Sequence, residues 1–349
     1  MKKIRKSTLI TGGCGFVGRN LIRKLVDEED VWIIDDLSIG LHPDIWLNKS
    51  YKKNFQKKNF IEYSNDKRKL HFITTDIIDV LTDEIKKTRI LPKFSVIFHF
   101  ASIVGGRELI EGDPILVGKD MAIDSIFFYW LTRKNKDVEK VLYASSSAAY
   151  PVVFQGKNNF KTLKEGYINF ETFVGIPDMT YGWSKLTGEY LSRLSAQKYL
   201  IPIACVRPFS GYGEDQDFSY PIPAIAKRVA EREDPLMVWG TGKQGRDFVH
   251  INDCIDAFYV IMKKIKDGSA CNIGSGKLTS FLDVLRMFSE IEGYNPKIVT
   301  LPNKPVGVLS RFADTSLLNS FGWSPKISNE EGFKKVLNYI KKYRLKEDL

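Results

Sequence analysis

Tyr181-Gly182-Trp183-Ser184-Lys185 sets a phenol and an amine four residues apart, on one face of a helix if the segment Tyr181 to Tyr199 is helical. A tyrosine with an unperturbed pKa of about 10 is a poor base at neutral pH, but a nearby lysine cation stabilises its phenolate. Such a pair can take a proton from a hydroxyl and return it. Alone, it would be no more than an amphipathic helix carrying a Tyr and a Lys. It has company in Ser145-Ser146-Ser147-Ala148-Ala149-Tyr150, which ends an apolar run starting at Val141, where a serine could hydrogen-bond the reacting oxygen.

A second constellation lies near the start of the chain. Gly12-Gly13-Cys14-Gly15-Phe16-Val17-Gly18 follows the strand-like Thr8 to Thr11 and opens a helical pattern. Bare N–H groups and the positive end of a helix favour a diphosphate there, and any Cβ would block its approach. The next strand-like run ends in Asp35-Asp36, with Asp35 twenty residues beyond Gly15, where a ribose-binding carboxylate is expected. A carboxylate repels a 2′-phosphate and no arginine follows, so NAD is favoured over NADP. Asp36 is open to two readings, a ribose contact or a turn residue. With a nicotinamide beside Tyr181, proton removal from a hydroxyl could accompany hydride transfer.

These residues must be carried by alternating elements. Apolar runs at Val31 to Ile34, Leu70 to Thr74, Val96 to Phe100, Val141 to Ala144 and Ile203 to Val206 suit strands buried on both faces. Helical spacing links Phe16 to Val26, and helices are expected at Ala122 to Arg133 and Tyr181 to Tyr199. The pattern predicts an α/β fold, a Rossmann-type doubly wound parallel sheet in residues 1–210, with a smaller C-terminal substrate-binding domain in residues 211–349. Arg246 to Ile273 is a candidate to pass back to the sheet. The lysine-rich stretch from Leu41 to Lys69 is expected to be a surface excursion.

With 349 residues, 43% of them hydrophobic and 27% charged, the chain reads as an ordinary soluble, cytoplasmic protein. No apolar run approaches the roughly 20 residues that span a bilayer. Four scattered cysteines, Cys14, Cys205, Cys254 and Cys271, and four scattered histidines indicate neither a disulfide framework nor a metal site. The formal charge of +10 is concentrated in lysine clusters without a nucleic-acid-binding motif, so no nucleic-acid partner is expected.

The ordered series TGGCGFVG, IIDDLS, HFAS, SSSAAY, YGWSK, RPFSGYG, WGTGKQGRDFVHINDC and NIGSG strongly resembles the extended short-chain dehydrogenase/reductases, in particular the nucleotide-sugar epimerases and dehydratases. The resemblance spans nearly the whole chain. It implies a catalytic triad of Ser146, Tyr181 and Lys185, Ser146 lying four residues before Tyr150 as in that motif. It implies NAD contacts at Gly12, Gly15, Phe16, Val17, Gly18, Asp35, Asp36, Asp76, Ile77, Phe100, Ala101, Ser102, Tyr181, Lys185 and Pro208. Substrate contacts would come from Gly105, Gly106, Arg107, Ser147, Ser210, Arg246 and Arg311, the arginines suiting a diphosphate because their fork pairs with phosphate oxygens. A nucleotide-diphosphate sugar substrate and a homodimer through the helices near Ala122 to Arg133 and Tyr181 to Tyr199 are further implications.

Family members share oxidation of a sugar hydroxyl and differ in the groups that act on the ketone. Where look-alike dehydratases carry Asp-Glu, decarboxylases a Glu and GDP-mannose 3,5-epimerases a Cys, this chain has Ser147 and Ala148. A 4-epimerase needs the fewest parts, with a 4-dehydrogenase or 4-keto-reductase as the alternative. The C-terminal third, from Val238 to Arg246 and from Gly307 to Arg311, is similar to GDP-mannose 3,5-epimerase segments, as is Val104-Gly105-Gly106. Its second lysine and its cysteine, however, fall near Pro221 and on Ala148. Arg107, Glu108 or Lys119 could still supply acid/base groups from a loop. Ser210 stands where an asparagine commonly contacts the diphosphate, and the usual asparagine of the helix after Pro114 is replaced within Asp120 to Asp124.

Overall fold

The computed structural model describes residues 7–86, 91–105, 107–157, 159–304 and 306–344. Nine strands form one sheet: β1 (Ser7–Thr11), β2 (Asp30–Ile34), β3 (Lys52–Lys57), β4 (Phe60–Ser64), β5 (Lys69–Ile73), β6 (Val96–His99), β7 (Lys140–Ala144), β8 (Ile203–Pro208) and β9 (Asp267–Ile273). Their order is β9-β8-β7-β6-β1-β2-β5-β4-β3. From β9 to β5 every pairing is parallel. β1 lies between β2 and β6, so the chain runs outward from it in both directions and leaves a crevice at the strands' carboxyl ends.

Both faces are covered, which is why these strands read as unbroken apolar runs. α1 (Phe16–Leu25) and the later helix Ile251–Lys264 pack through Leu21, Ile22, Ile255 and Phe258 on one face. On the other lie α2 (Ile77–Lys86), α4 (Pro114–Lys134) and α5 (Met179–Tyr199), packed through Leu81, Phe127 and Trp130. A short α3 (Arg107–Gly112) precedes α4.

Two elements differ from the sequence expectation. Leu41 to Lys69 is no mere excursion: β3 and β4 form an antiparallel hairpin that pairs with β5 and extends the sheet. β4 alternates, burying Ile61 and Tyr63, while β3 is exposed throughout and its lysines suit an edge strand that must not pair with another chain. α4 begins at Pro114, well before the expected Ala122. Asp113 caps it by accepting the Leu116 N–H at 2.9 Å, and the buried Asp120 and Asp124 break the apolar periodicity of its inner face.

Beyond β8 the chain builds a second core from Pro221–Ala230, Phe281–Glu292 and Asn329–Tyr339, centred on Phe248, Phe288 and Phe333. Ile251–Lys264 and β9 return to the sheet, and Leu318 and Trp323 join its core as well. Short strands at Gly245–Arg246 and Ser310–Arg311 pair in parallel, setting Arg246 beside Arg311. Among the described residues no helix is long and apolar enough to cross a membrane.

Candidate active site

The expected site residues gather along one edge, because each follows the carboxyl end of a parallel strand: Gly12 to Gly18 after β1, Asp35 and Asp36 after β2, Asp76 and Ile77 after β5, Phe100 to Ser102 after β6, Ser146 and Ser147 after β7, and Pro208 and Ser210 at the end of β8. Gly12, Gly15, Phe16 and Val17 are partly exposed on the crevice rim, whereas Ser147 is buried within its turn. Gly106 lies outside the described residues.

The glycine turn has no room for side chains. A Cβ on Gly12, whose φ is +66°, would come within 2.7 Å of the Ala101 nitrogen, and one on Gly18 within 2.6 Å of Gly13. Gly15 caps α1 without a side-chain acceptor, so no oxygen of the cap side chain competes for the first-turn N–H groups. Asp35 accepts the N–H groups of Cys14 at 2.8 Å and Leu37 at 2.9 Å, tying the end of β2 to the turn. Burial raises its carboxyl, and those N–H groups oppose the rise. Asp36 is exposed and accepts from the Ser38 N–H and hydroxyl, so the turn role is the one seen. Asp76 is paired with Lys119 at 2.7 Å.

Ser146 and Lys185 both favour the ionised form of the Tyr181 phenol, and the Lys185 ammonium lies 5.5 Å from the Tyr181 ring centre. Gly182 makes this approach possible: a Cβ there would lie 2.4 Å from the Ala148 carbonyl oxygen. Ser146 also accepts the Ala148 N–H at 3.1 Å, which fixes the turn after β7. Burial pushes the Tyr181 phenol up; Lys185 and Ser146 oppose this, while Asp120 adds to it. Burial alone would lower the Lys185 ammonium, but Tyr181, Asp120 and Asp124 outweigh it and hold the group charged.

Three arginines from distant segments converge beyond this pair. Arg107 donates to both oxygens of Asp178 at 3.0 and 3.1 Å, and Arg311 to one of them at 2.6 Å and to Gln155 at 2.6 Å. Arg246 donates to the carbonyl oxygens of Gly245, Val308 and Val306. Burial, reinforced by Arg311, pushes the Arg246 guanidinium down to about 9, the mark of a cation set among cations. Two carboxylates, Asp178 and the Glu111 that accepts from Arg107, stand among three guanidinium groups, and the one positive charge left over suits a phosphate-rich ligand.

The model of the NAD dependent epimerase/dehydratase family matches residues 8–274. The chain belongs to this family. A Methanocaldococcus jannaschii protein provisionally named a UDP-glucose 4-epimerase is 28% identical over 338 residues, 95% of this chain and 98% of its own. The GDP-L-fucose synthase of Azorhizobium caulinodans is 26% identical over 351 residues, 96% of each chain. The Thermotoga maritima UDP-glucose 4-epimerase, solved with UDP-glucose, has the same fold: TM-score 0.77 at 23% identity, covering 96% of this chain and 99% of its own.

Within this family member, Asp178 and the buried carboxylates of α4 are site neighbours that the sequence left unassigned. Asp178 sits immediately before α5, a position that reads simply as a helix cap. Arg107 and Lys119, candidate loop acid/base groups, are held in ion pairs with Asp178 and Asp76 instead. Among the described residues no cluster suited to a metal ion occurs.

Proposed function

We propose that the protein is a nucleotide-sugar 4-epimerase that works through a transient 4-keto sugar, with Tyr181 as the acid/base. The observation that carries this reading is the buried Lys185 ammonium 5.5 Å from the Tyr181 ring centre, facing the turn of Ser146, whose next residues, Ser147 and Ala148, add no second acid or base. The first N–H groups of α1 would hold the diphosphate of NAD, Asp35 its adenosine ribose, and Asp76 and Ile77 the adenine end. Phe100, Ala101, Ser102 and Pro208 would line the nicotinamide end. When bound, NAD supplies the acceptor for a hydride and gives it back.

Ser146 holds the sugar hydroxyl against Tyr181, and Tyr181 takes its proton as the C–H bond at the same carbon breaks, leaving a C=O. After the keto sugar turns over, Tyr181 returns the proton to the oxygen when the C–H bond re-forms on the opposite face. Lys185 stabilises the phenolate from which this cycle starts and to which it returns. Arg107, Arg246 and Arg311 would grip the diphosphate of the substrate, leaving the sugar free to turn, with Gly105, Gly106, Ser147 and Ser210 around it. A homodimer would use the exposed face of α4 and α5, where Tyr129 and Tyr199 flank Arg133 and Trp183 and Tyr190 stand exposed.

The test is a panel of UDP-, GDP-, CDP- and dTDP-sugars with NAD, following products by NMR and NADH by absorbance, with Tyr181→Phe expected to lose at least 100-fold in kcat. Interconversion of C4 epimers without lasting NADH is the expected result. Stoichiometric NADH would instead make the protein a 4-dehydrogenase or 4-keto-reductase. No turnover of any sugar, with dinucleotide binding unaffected by Tyr181→Phe, would make it a dinucleotide-sensing binding protein.

A further inference from the structure

Two carboxylates of α4, Asp120 and Asp124, are each only 1% exposed, and no step above uses them. Both act electrostatically on Lys185. Asp120 accepts from the Ser102 hydroxyl at 2.6 Å, the Ile103 N–H at 2.5 Å and the Ser184 hydroxyl at 3.4 Å. Asp124 accepts from the Tyr143 hydroxyl at 2.6 Å and faces His99 Nε2 at 3.1 Å.

Hydrogen-bond accounting sets the charge of His99. The Thr11 hydroxyl oxygen accepts the N–H groups of Phe100 and Ala101, each at 3.2 Å, so its single proton points to His99 Nδ1, 2.7 Å away. His99 is therefore a neutral imidazole that donates its Nε2 proton to Asp124, and its complete burial favours the same form. Asp120 accepts a backbone N–H, and the other partners of both carboxylates, the Ser102, Ser184 and Tyr143 hydroxyls and His99, can each donate, the set that an ionised carboxylate takes. Burial, with Asp124 adding to it, leaves the Asp120 carboxyl above its ordinary value, though Lys185 and the donors from Ser102 and Ile103 oppose the rise. Two carboxylates then face one ammonium, with Tyr143, Tyr181 and His99 neutral and Arg311, which also acts on Tyr181, paired with Asp178, so the groups around Lys185 keep one net negative charge.

An oxidised nicotinamide ring is cationic and a reduced one is neutral. We propose that Asp120 supplies the surplus negative charge that makes the pocket hold the oxidised dinucleotide in preference to the reduced one. The proposal rests on the reading of Tyr181 and Lys185 as the nicotinamide-facing pair. In an enzyme that must hand its hydride back, this bias favours return to the keto sugar over release of the ketone from a reduced enzyme.

The experiment measures the dissociation constants of NAD and NADH by calorimetry and by NADH fluorescence for the wild type, Asp120→Asn and Asp120→Glu. It also follows the phenolate absorbance of Tyr181 against pH, using Tyr181→Phe as the blank. Asp120→Asn is expected to shift the affinity ratio toward NADH by on the order of tenfold and to move the Tyr181 titration to lower pH, with Asp120→Glu close to wild type. An unchanged ratio in folded Asp120→Asn overturns the proposal. If that variant does not fold, comparing Lys185→Met with Asp120→Asn/Lys185→Met isolates the same charge, and equal ratios overturn it equally. A wild type that binds neither dinucleotide fails the cofactor reading itself, a result distinct from binding both with no effect of Asp120.

Discussion

Gly182→Ala tests whether the first turn of α5 must lie directly on the turn after β7. The added Cβ would sit 2.4 Å from the Ala148 carbonyl oxygen and 2.8 Å from Pro177 Cβ, against an ordinary contact of 3.4 Å or more. Backbone blocks one side, so the helix start must retreat by about 1 Å, carrying the adjacent Tyr181 away from Ser146. Misplacement of that size in a proton-transfer geometry costs on the order of 100-fold in rate. The expected result is a fall of about 100-fold in kcat for sugar turnover, a lowered melting temperature, and NAD affinity within about threefold of wild type, because the glycine turn after β1 is untouched. Gly166→Ala, with nothing within 4 Å of its added Cβ, is the control and should behave as wild type. A Gly182→Ala enzyme with wild-type kcat and melting temperature would refute the reasoning, since the contact would then be dispensable.

Two further outcomes are expected. Arg311→Met removes a guanidinium whose charge-assisted hydrogen bonds to a substrate phosphate would be worth about 1.5–3 kcal/mol, so KM for the nucleotide-sugar should rise roughly 10- to 150-fold with kcat and NAD affinity little changed; a fall confined to kcat would remove Arg311 from substrate binding. Asp215 accepts from Arg23 and Asn20, both at 2.9 Å, and faces Arg19 at 3.4 Å. Burial alone would raise its carboxyl, but Arg19 and then Arg23 outweigh burial and hold it below the usual value. A depressed carboxyl stabilises the fold above the unfolded pKa of about 3.9 and loses that contribution as pH falls through the folded value. Asp215→Asn should therefore cost about 2–4 kcal/mol in denaturant unfolding at pH 7, and the gap should close below about pH 4; a gap that widened in acid would contradict the assignment.

The parallel sheet, the glycine turn with Asp35, and the Tyr181–Lys185 pair are all legible in the chain, because strand, turn and helix face are each set by residues a few positions apart. The β3–β4 hairpin was not. Its outer strand, Lys52–Lys57, is wholly exposed, so no burial pattern marks it, and only the alternation of Ile61 and Tyr63 in β4 carries a trace. The first two turns of α4 break the pattern both ways: Ile115 and Leu116 are exposed though apolar and Asp120 is buried though polar, so a search for apolar periodicity passes over them.

Residue types at short spacing determined by themselves the glycine turn, the Tyr181–Lys185 pair on one helix face and the strand ends that carry them, since local sterics and backbone hydrogen bonding act within a few residues. Only the tertiary structure decided that Arg107 and Arg311, 71 and 133 residues from Asp178, share its carboxylate. It likewise decided that Thr11, 88 residues from His99, sets the proton of that ring. Such contacts depend on which strands become neighbours and how closely the layers pack, and no spacing along the chain encodes that distance.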